Sequence, residues 1–188
     1  MYGLRGYDLI GRVGNLLRVE LRQEGAEHAL QPAHLQALAY FARANRYSNT
    51  PAALTDYLGV TKGTASQTLM VLEGFGLVTK RADQADQRVT RVTLTAKGRS
   101  LLGKLLPPAV WERASSGLGA AATQRIEAAM TELLRALQVA NQSRSFGVCT
   151  TCVHLVHESG KKFRCGLTDE SLSHEDRQLI CREHAVKA

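Results

Sequence analysis

Aromatic side chains are scarce in this 188-residue chain, at 5% of residues, while Leu, Ala and Val abound. That balance favours a mostly helical core over a β-sandwich. No run of about 18 apolar residues occurs, so nothing is expected to span a membrane. The opening MYGLRGYDLIGRVGNLL carries charge and lacks a continuous apolar stretch. It does not read as a signal peptide, and a cytoplasmic location is expected. Cysteine is missing from the first 148 residues and then appears four times, at Cys149, Cys152, Cys165 and Cys181. Also missing are a Gly-rich phosphate loop, a catalytic carboxylate pair and a Ser/His/Asp set. The CTTC segment has no βαβ context of the kind that activates a redox thiol. No H-x-E motif precedes it, as a zinc deaminase would need. No enzyme is expected.

What is present points to a polyanionic partner. The net charge is +7 and the pI about 9.5, the footprint of a nucleic-acid binder or of a merely soluble basic protein. The length suits one good-sized domain with a small appendage.

Leu9, Ile10, Val13, Leu16, Leu17, Val19 and Leu21 recur at near-helical spacing between about Arg5 and Gly25. This wide apolar stripe packs on a partner subunit or on its own domain. Pro32 suits the first position of a second helix, whose apolar face runs through Leu35, Leu38 and Phe41 and ends near Asn45. Thr50 and Pro51 cap and open a short third helix that Gly59 stops. Thr61 caps a fourth, which turns Ala65, Leu69 and Leu72 inward. Its other face carries Lys62, Gly63, Ser66, Gln67 and Met70, small and amide side chains that can approach base edges. LVTKR and RVTRVTL alternate as paired strands around the polar tip ADQADQ. Lys80, Arg81, Arg88 and Arg91 make that hairpin basic, as minor-groove or phosphate contacts require; otherwise it is a solvated charged hairpin. Thr95 opens a further helix that Pro107 and Pro108 kink or break, and a last long helix runs from Ala120 to Asn141. Trp111, the only tryptophan, is expected in core or interface packing.

The segment from about Leu35 to Leu102 resembles the MarR family of bacterial winged-helix regulators. The likeness rests on TKGTASQTLMVLEGFGLVTK, on Asp83, Asp86 and Arg88 in the wing, and on the closing VTLTAKG. With the flanking helices it covers roughly residues 5–142. It implies a winged helix-turn-helix fold, mainly α with a small β-hairpin wing and dimerisation helices at both ends. It also implies a homodimer on a palindromic double-stranded DNA operator. Recognition helices would enter successive major grooves, and Arg88 the minor groove. The commoner wing pattern is D-x-R-D-x-R; Gln84 and Ala85 here leave the tip one basic residue short. On this reading residues 1–142 form the DNA-binding and dimerisation domain, with the helix-turn-helix at about 50–74 and the wing at about 77–94. Lys62, Ser66 and Gln67, helped by Gly63 and Thr64, would read bases. Thr50, Thr61, Lys80 and Arg81 would hold phosphates.

QSRSFG reads as a linker over 143–148, and residues 149–188 as a small Cys-rich segment with too few large apolar residues for a core of its own. Segments this small fold around a metal or crosslinks. The spacing C-x2-C-x12-C-x15-C provides one thiolate pair and two single ligands. That suits an iron–sulfur cluster, 2Fe-2S or 4Fe-4S, and alternatively zinc; a bare-thiol switch is the third possibility. His154, His157, His174 and His184 are assigned to the surface or to support of the ligands. Ser173 and Asp176 predict a short final helix carrying Leu179, Ile180 and Cys181. The expected function is a DNA-binding transcriptional regulator, a repressor, whose affinity follows a redox- or iron-sensing four-cysteine centre. The centre is expected to order the tail against the dimerisation helices and change the spacing of the reading heads. The alternative is a regulator answering to a small ligand between the dimer helices, with the tail a structural zinc module for folding or protein interaction.

Overall fold

The computed structural model describes residues 3–142, 144–160 and 162–186. Helix α1 (Leu4–Ala26) leads through a short loop to α2 (Pro32–Arg43), α3 (Pro51–Leu58) and α4 (Lys62–Gly74). Strands β1 (Val78–Ala82) and β2 (Thr90–Leu94) follow, then α5 (Ala96–Leu105), α6 (Ala109–Leu118) and α7 (Ala120–Ala140). The boundaries are set by local chemistry. Thr50 Oγ1 accepts the Ala53 N–H at 3.2 Å, Thr61 Oγ1 that of Thr64 at 3.1 Å, and Thr95 Oγ1 that of Gly98 at 3.0 Å. Each bond satisfies an N–H that the first helical turn leaves free. Gly59 ends α3 in the left-handed region, at φ 63°. The chain breaks between α5 and α6 at Leu106–Pro108.

The core lies where α2, α3, α4 and the hairpin meet. Leu35, Leu38 and Tyr40 of α2, Leu54 of α3, Leu69 and Leu72 of α4, and Val78 and Val92 of the strands are all fully buried. The hairpin is antiparallel, with Lys80 opposite Val92 and Ala82 opposite Thr90. Gly98 lets α5 close on this unit, since a Cβ there would lie 2.1 Å from the Leu77 carbonyl oxygen. Thus the helix-turn-helix and its wing share one core.

Helices α6 and α7 bury no residue within the chain. Ile126, Met130, Leu133, Leu134 and Leu137 of α7 are exposed, as are Leu9, Ile10, Val13, Leu16 and Val19 of α1. Trp111 on α6 is exposed too, which removes it from the core of its own chain. An apolar set of this extent on α1 and α7 marks an interaction surface.

The Cys-rich segment carries a three-stranded antiparallel sheet, β3 (Leu155–His157), β4 (Phe163–Cys165) and β5 (Glu170–Leu172), with β4 in the middle. The predicted final helix is corrected here. Ser173 and Asp176 do exchange capping hydrogen bonds, at 2.9 and 3.0 Å, but only a single turn forms, over Asp176–Gln178. Beyond it the backbone is stretched because α2 captures it. Ile180 N–H donates to the Arg43 carbonyl at 2.6 Å, and Asn45 N–H donates to that of Ile180 at 2.9 Å. Ile180 is buried in the main core, which the segment borrows. The stretch read as a linker is also packed: the Phe146 ring meets Tyr57 and Tyr40 edge-on, at 5.2 and 6.2 Å between centroids. Ser143 lies outside the described residues.

Candidate nucleic-acid interface and thiol site

Packing α4 on α2 and α3 leaves the outer face of α4 bare. Thr61, Lys62, Gly63, Thr64, Ser66 and Gln67 are all exposed along it, within two turns. Lys62 and Ser66 line a shallow concavity of about 350 Å³ with Lys80 of β1. The start of α3 and Thr90 close its other sides through Pro51, Ala52 and Thr55. Sequence reasoning missed these four, which have no distinguishing chemistry and are brought in by the turn. Thr50 stands at the rim, half-buried, its hydroxyl oxygen committed to the α3 cap.

The wing cations are less free than their number suggests. Lys80 pairs with Glu73 at 2.8 Å. Arg91 pairs with Asp83 at 2.6 Å and reaches Asn49 Oδ1 at 3.4 Å, so it braces the base of the wing. Arg81 is exposed and makes no ion pair among the described residues. Arg88, its side chain 90% exposed, lies along Asp86 through two 2.9 Å hydrogen bonds. The polar tip is tied internally: Asp83 Oδ1 accepts N–H bonds from Ala85 and Asp86, at 2.9 and 3.0 Å. Hydrogen bonds from Arg91 first, then from these backbone groups, hold the Asp83 carboxyl below the usual range. Asp86 is lowered likewise, by Arg88.

The four cysteines arrive from different elements. Cys149 and Cys152 flank a tight turn closed by Cys152 N–H on the Cys149 carbonyl at 3.0 Å. Cys165 ends β4, and Cys181 follows Ile180. All four thiols are free, and all four line one void of about 20 Å³ together with His154, Leu155, Leu167 and Leu172. Burial pushes Cys149 up to about 11, the neighbouring thiols adding to it. Burial also raises Cys181, against hydrogen bonds from the Asn45 side chain and the Glu183 N–H. For Cys165 burial is outweighed: donors from Thr168 and Leu167 bring its thiol below the ordinary value. Backbone N–H groups two and three residues onward thus point at sulfur, an arrangement that favours thiolate. Among the described residues no group of three or more His, Cys, Asp or Glu forms a ready-made ion site. His184 is buried between Ser145 and Thr151, at 2.6 and 3.0 Å from their hydroxyls, and acts structurally.

The segment docks on the helix-turn-helix, in addition to bordering the dimerisation helix α7. Arg182 holds Asp56 of α3, its N–H donates to Ser48 Oγ at 2.8 Å, and Tyr47 and Arg46 both bond Glu170. The segment also borders the C-terminal half of α7: Gln138 donates to the Ser145 carbonyl at 3.1 Å, and Thr131, Leu134 and Arg135 share a cavity with Phe146, Thr151 and His184.

Residues 29–89, from the α1–α2 loop through the wing tip, match the sequence model of the MarR family. Among solved structures, a MarR-family transcriptional regulator from Silicibacter pomeroyi is 28% identical, with a TM-score of 0.62. The match covers 73% of this chain and 92% of that one. The MepR–DNA complex of S. aureus shares the fold at 19% identity and TM-score 0.56, over 69% and 96% of the two chains. CouR from Rhodococcus jostii RHA1, solved with p-coumaroyl-CoA, shares it at 17% and 0.56, over 66% and 88%. No curated protein matches the sequence. No helix among the described residues is long and apolar enough to cross a membrane.

Proposed function

From the family match over 29–89 and the 28% identical MarR-family structure that shares the fold, we infer that this chain is a winged-helix transcriptional regulator of the MarR family. It binds double-stranded DNA as a homodimer. The observation that carries the reading is the bare polar face of α4 beside a basic wing, on a body whose remaining apolar helices await a second copy. MepR, solved on DNA with the same fold, supports it. Lys62, Ser66 and Gln67 read bases in the major groove, with Gly63 and Thr64 allowing close approach. Thr50, Thr61, Lys80 and Arg81 hold phosphates, and Arg88 swings from Asp86 into the minor groove. The test is selection of bound sequences from random DNA. Two inverted half-sites one helical turn apart (~34–36 Å) support the reading, and recovery of no motif overturns it.

The tail adds a four-thiolate centre held by Cys149, Cys152, Cys165 and Cys181, through which repression responds to iron or redox state. The shared void and the N–H donors to sulfur support it. The scattered origin of the single ligands, Cys165 from β4 and Cys181 beyond Ile180, favours an iron–sulfur cluster. A tetrahedral zinc, with Zn–S near ~2.3 Å, draws its ligands closer. The small size of the void favours zinc as the second reading, with the tail a structural module. Under that reading the signal is a small ligand. The cavity of about 330 Å³ under α5, lined by Leu30, Phe75, Leu101 and the cationic Lys97 and Lys104, is an apolar site with an anion-binding edge. CouR, solved with an acyl-CoA, lends that reading support. Anaerobic purification separates the two: brown protein absorbing near ~400 nm means a cluster, and colourless protein with one zinc per chain means the module.

A further inference from the structure

Helix α4 turns Ala65, Thr68, Leu69 and Leu72 into the core. Down the middle of its outer side run Gly63, Gln67, Met70 and Gly74, at steps of four, three and four residues. That spacing stacks positions on one helical face. The two ends of the row are bare. A Cβ on Gly74 would meet nothing within 4 Å, and one on Gly63 only Thr61 Oγ1, at 3.8 Å. Gln67 and Met70 are therefore the two side chains that stand on the row. Glu73 at its flank, the one acid of α4, is paired with Lys80 at 2.8 Å. Met70 is 58% exposed and takes no part in the core. Its neighbours on this side, Lys62, Ser66 and Gln67, are all polar or charged. One apolar side chain thus projects from the centre of a polar surface.

We propose that Met70 is a specificity-determining residue that selects thymine in the operator, by packing on its C5 methyl group in the major groove. The proposal rests on the reading of α4 as the base-reading helix. Polar side chains find nitrogen and oxygen partners on every base pair, whereas the thymine methyl is the apolar group the groove presents. An unbranched thioether with three rotatable bonds adapts its shape to that methyl, and the contact removes both apolar surfaces from water. Gly63 and Gly74 keep the ends of the row low, so its centre can sink to the depth of the base edges. Met70 follows Gln67 by three residues, about 4.5 Å of helix rise, which is close to one base-pair step of ~3.4 Å. The thymine therefore lies within about two base pairs of the base that Gln67 reads, once in each half-site.

The test removes the methyl from the DNA and the side chain from the protein. The full chain first selects its operator from random DNA. Deoxyuridine then replaces thymidine at one symmetric pair of positions at a time, which deletes two methyl groups and keeps every hydrogen-bonding atom. At one such pair the parent is expected to lose about tenfold in affinity, roughly three- to fourfold for each methyl. Met70→Ala is expected to bind the thymine operator about tenfold more weakly and to lose less than about twofold on the same change of base. Met70→Leu, which keeps an apolar side chain, should retain most of the discrimination. The position is exposed and helical, and both replacements are strong helix formers, so the fold is kept. A parent indifferent to uracil at every position overturns the proposal, as does a Met70→Ala variant that discriminates as the parent does; DNA binding stands in either case. Recovery of no operator overturns the base-reading function itself, and this assignment with it.

Discussion

Arg182, the residue after Cys181, grips Asp56 of α3 from two nitrogens at 2.8 and 2.6 Å, both on Oδ2. Arg144, at the opposite end of the Cys-rich segment, approaches the same oxygen at 3.4 Å. One carboxylate on the helix-turn-helix thus ties down the entry and the exit of the tail. The sheet between them is held further by Glu170, which takes Tyr47 and Arg46.

Replacing Asp56 by Ala is therefore expected to loosen the tail while sparing the winged helix. The three side chains are between about a quarter and a half exposed, so each pair contributes about 0.2–1 kcal/mol. Removal also leaves Arg182 without its carboxylate, while Arg144 keeps Glu183 at 2.8 Å. Docking should weaken by about 1 kcal/mol, read as several-fold faster proteolysis after Arg144 with the core intact. An unchanged cleavage rate would mean that Ile180 and its backbone bonds hold the tail unaided.

The α4 face separates base reading from phosphate binding. Gln67→Ala should cost about 1–3 kcal/mol on the selected sequence and little on random DNA, relaxing one operator position. Arg81→Ala should weaken both alike and reduce the salt slope by about one counterion. Titrations at two salt concentrations check both. Equal loss on both DNAs for Gln67→Ala would take that side chain off the bases.

The wing should be sensitive to acid at one carboxyl. Asp83 is held below its ordinary value by Arg91 and by two backbone N–H groups. A group with a lowered folded value contributes above its unfolded pKa of about 3.9 and loses that contribution as pH falls through the folded one. Wing order should therefore be constant from neutral pH down to about 4 and fall below it. Asp83→Asn should lack the Arg91 ion pair at every pH. Amide exchange of Ala85 and Asp86, followed against pH, reports it.

Features that depend on neighbours in sequence were legible in advance. Thr50–Pro51, Gly59, Thr61 and Thr95 mark helix ends because capping is settled within four residues. Spacing placed the four thiols together for a related reason, since small folds draw their cysteines to one centre. The wing motif was legible only in outline. Asp83 and Asp86 lie where the family pattern puts them, yet their oxygens are occupied in closing the tip. The final helix was misread because Ser173 and Asp176 make the local capping bonds while Arg43 and Asn45, over 130 residues away, claim Ile180. Nor does any local pattern announce that Arg182 meets Asp56 and Ser48. Such contacts follow from the tail lacking a core, which drives it onto the domain.

The largest unsatisfied feature of the single chain is the apolar surface of α1 and α7, and it makes the last prediction. Leu133, Leu134 and Leu137 fall on α7 at one- and three-residue steps, with Met130 and Ile126 a turn before, and all are exposed. Burying an exposed leucine contributes about 1.5–3 kcal/mol, so five such residues from each copy give a dimer without a separately stable monomer surface. Leu134→Glu places a charge in that contact, where desolvation disfavours it. The variant should sediment as a monomer or aggregate, and its affinity for the paired half-sites should fall by at least a hundredfold. Binding to a single half-site should change much less, because α4 and the wing are untouched. Full-site affinity retained by a proven monomer would show that one reading head suffices, and that the exposed face of α7 serves another partner.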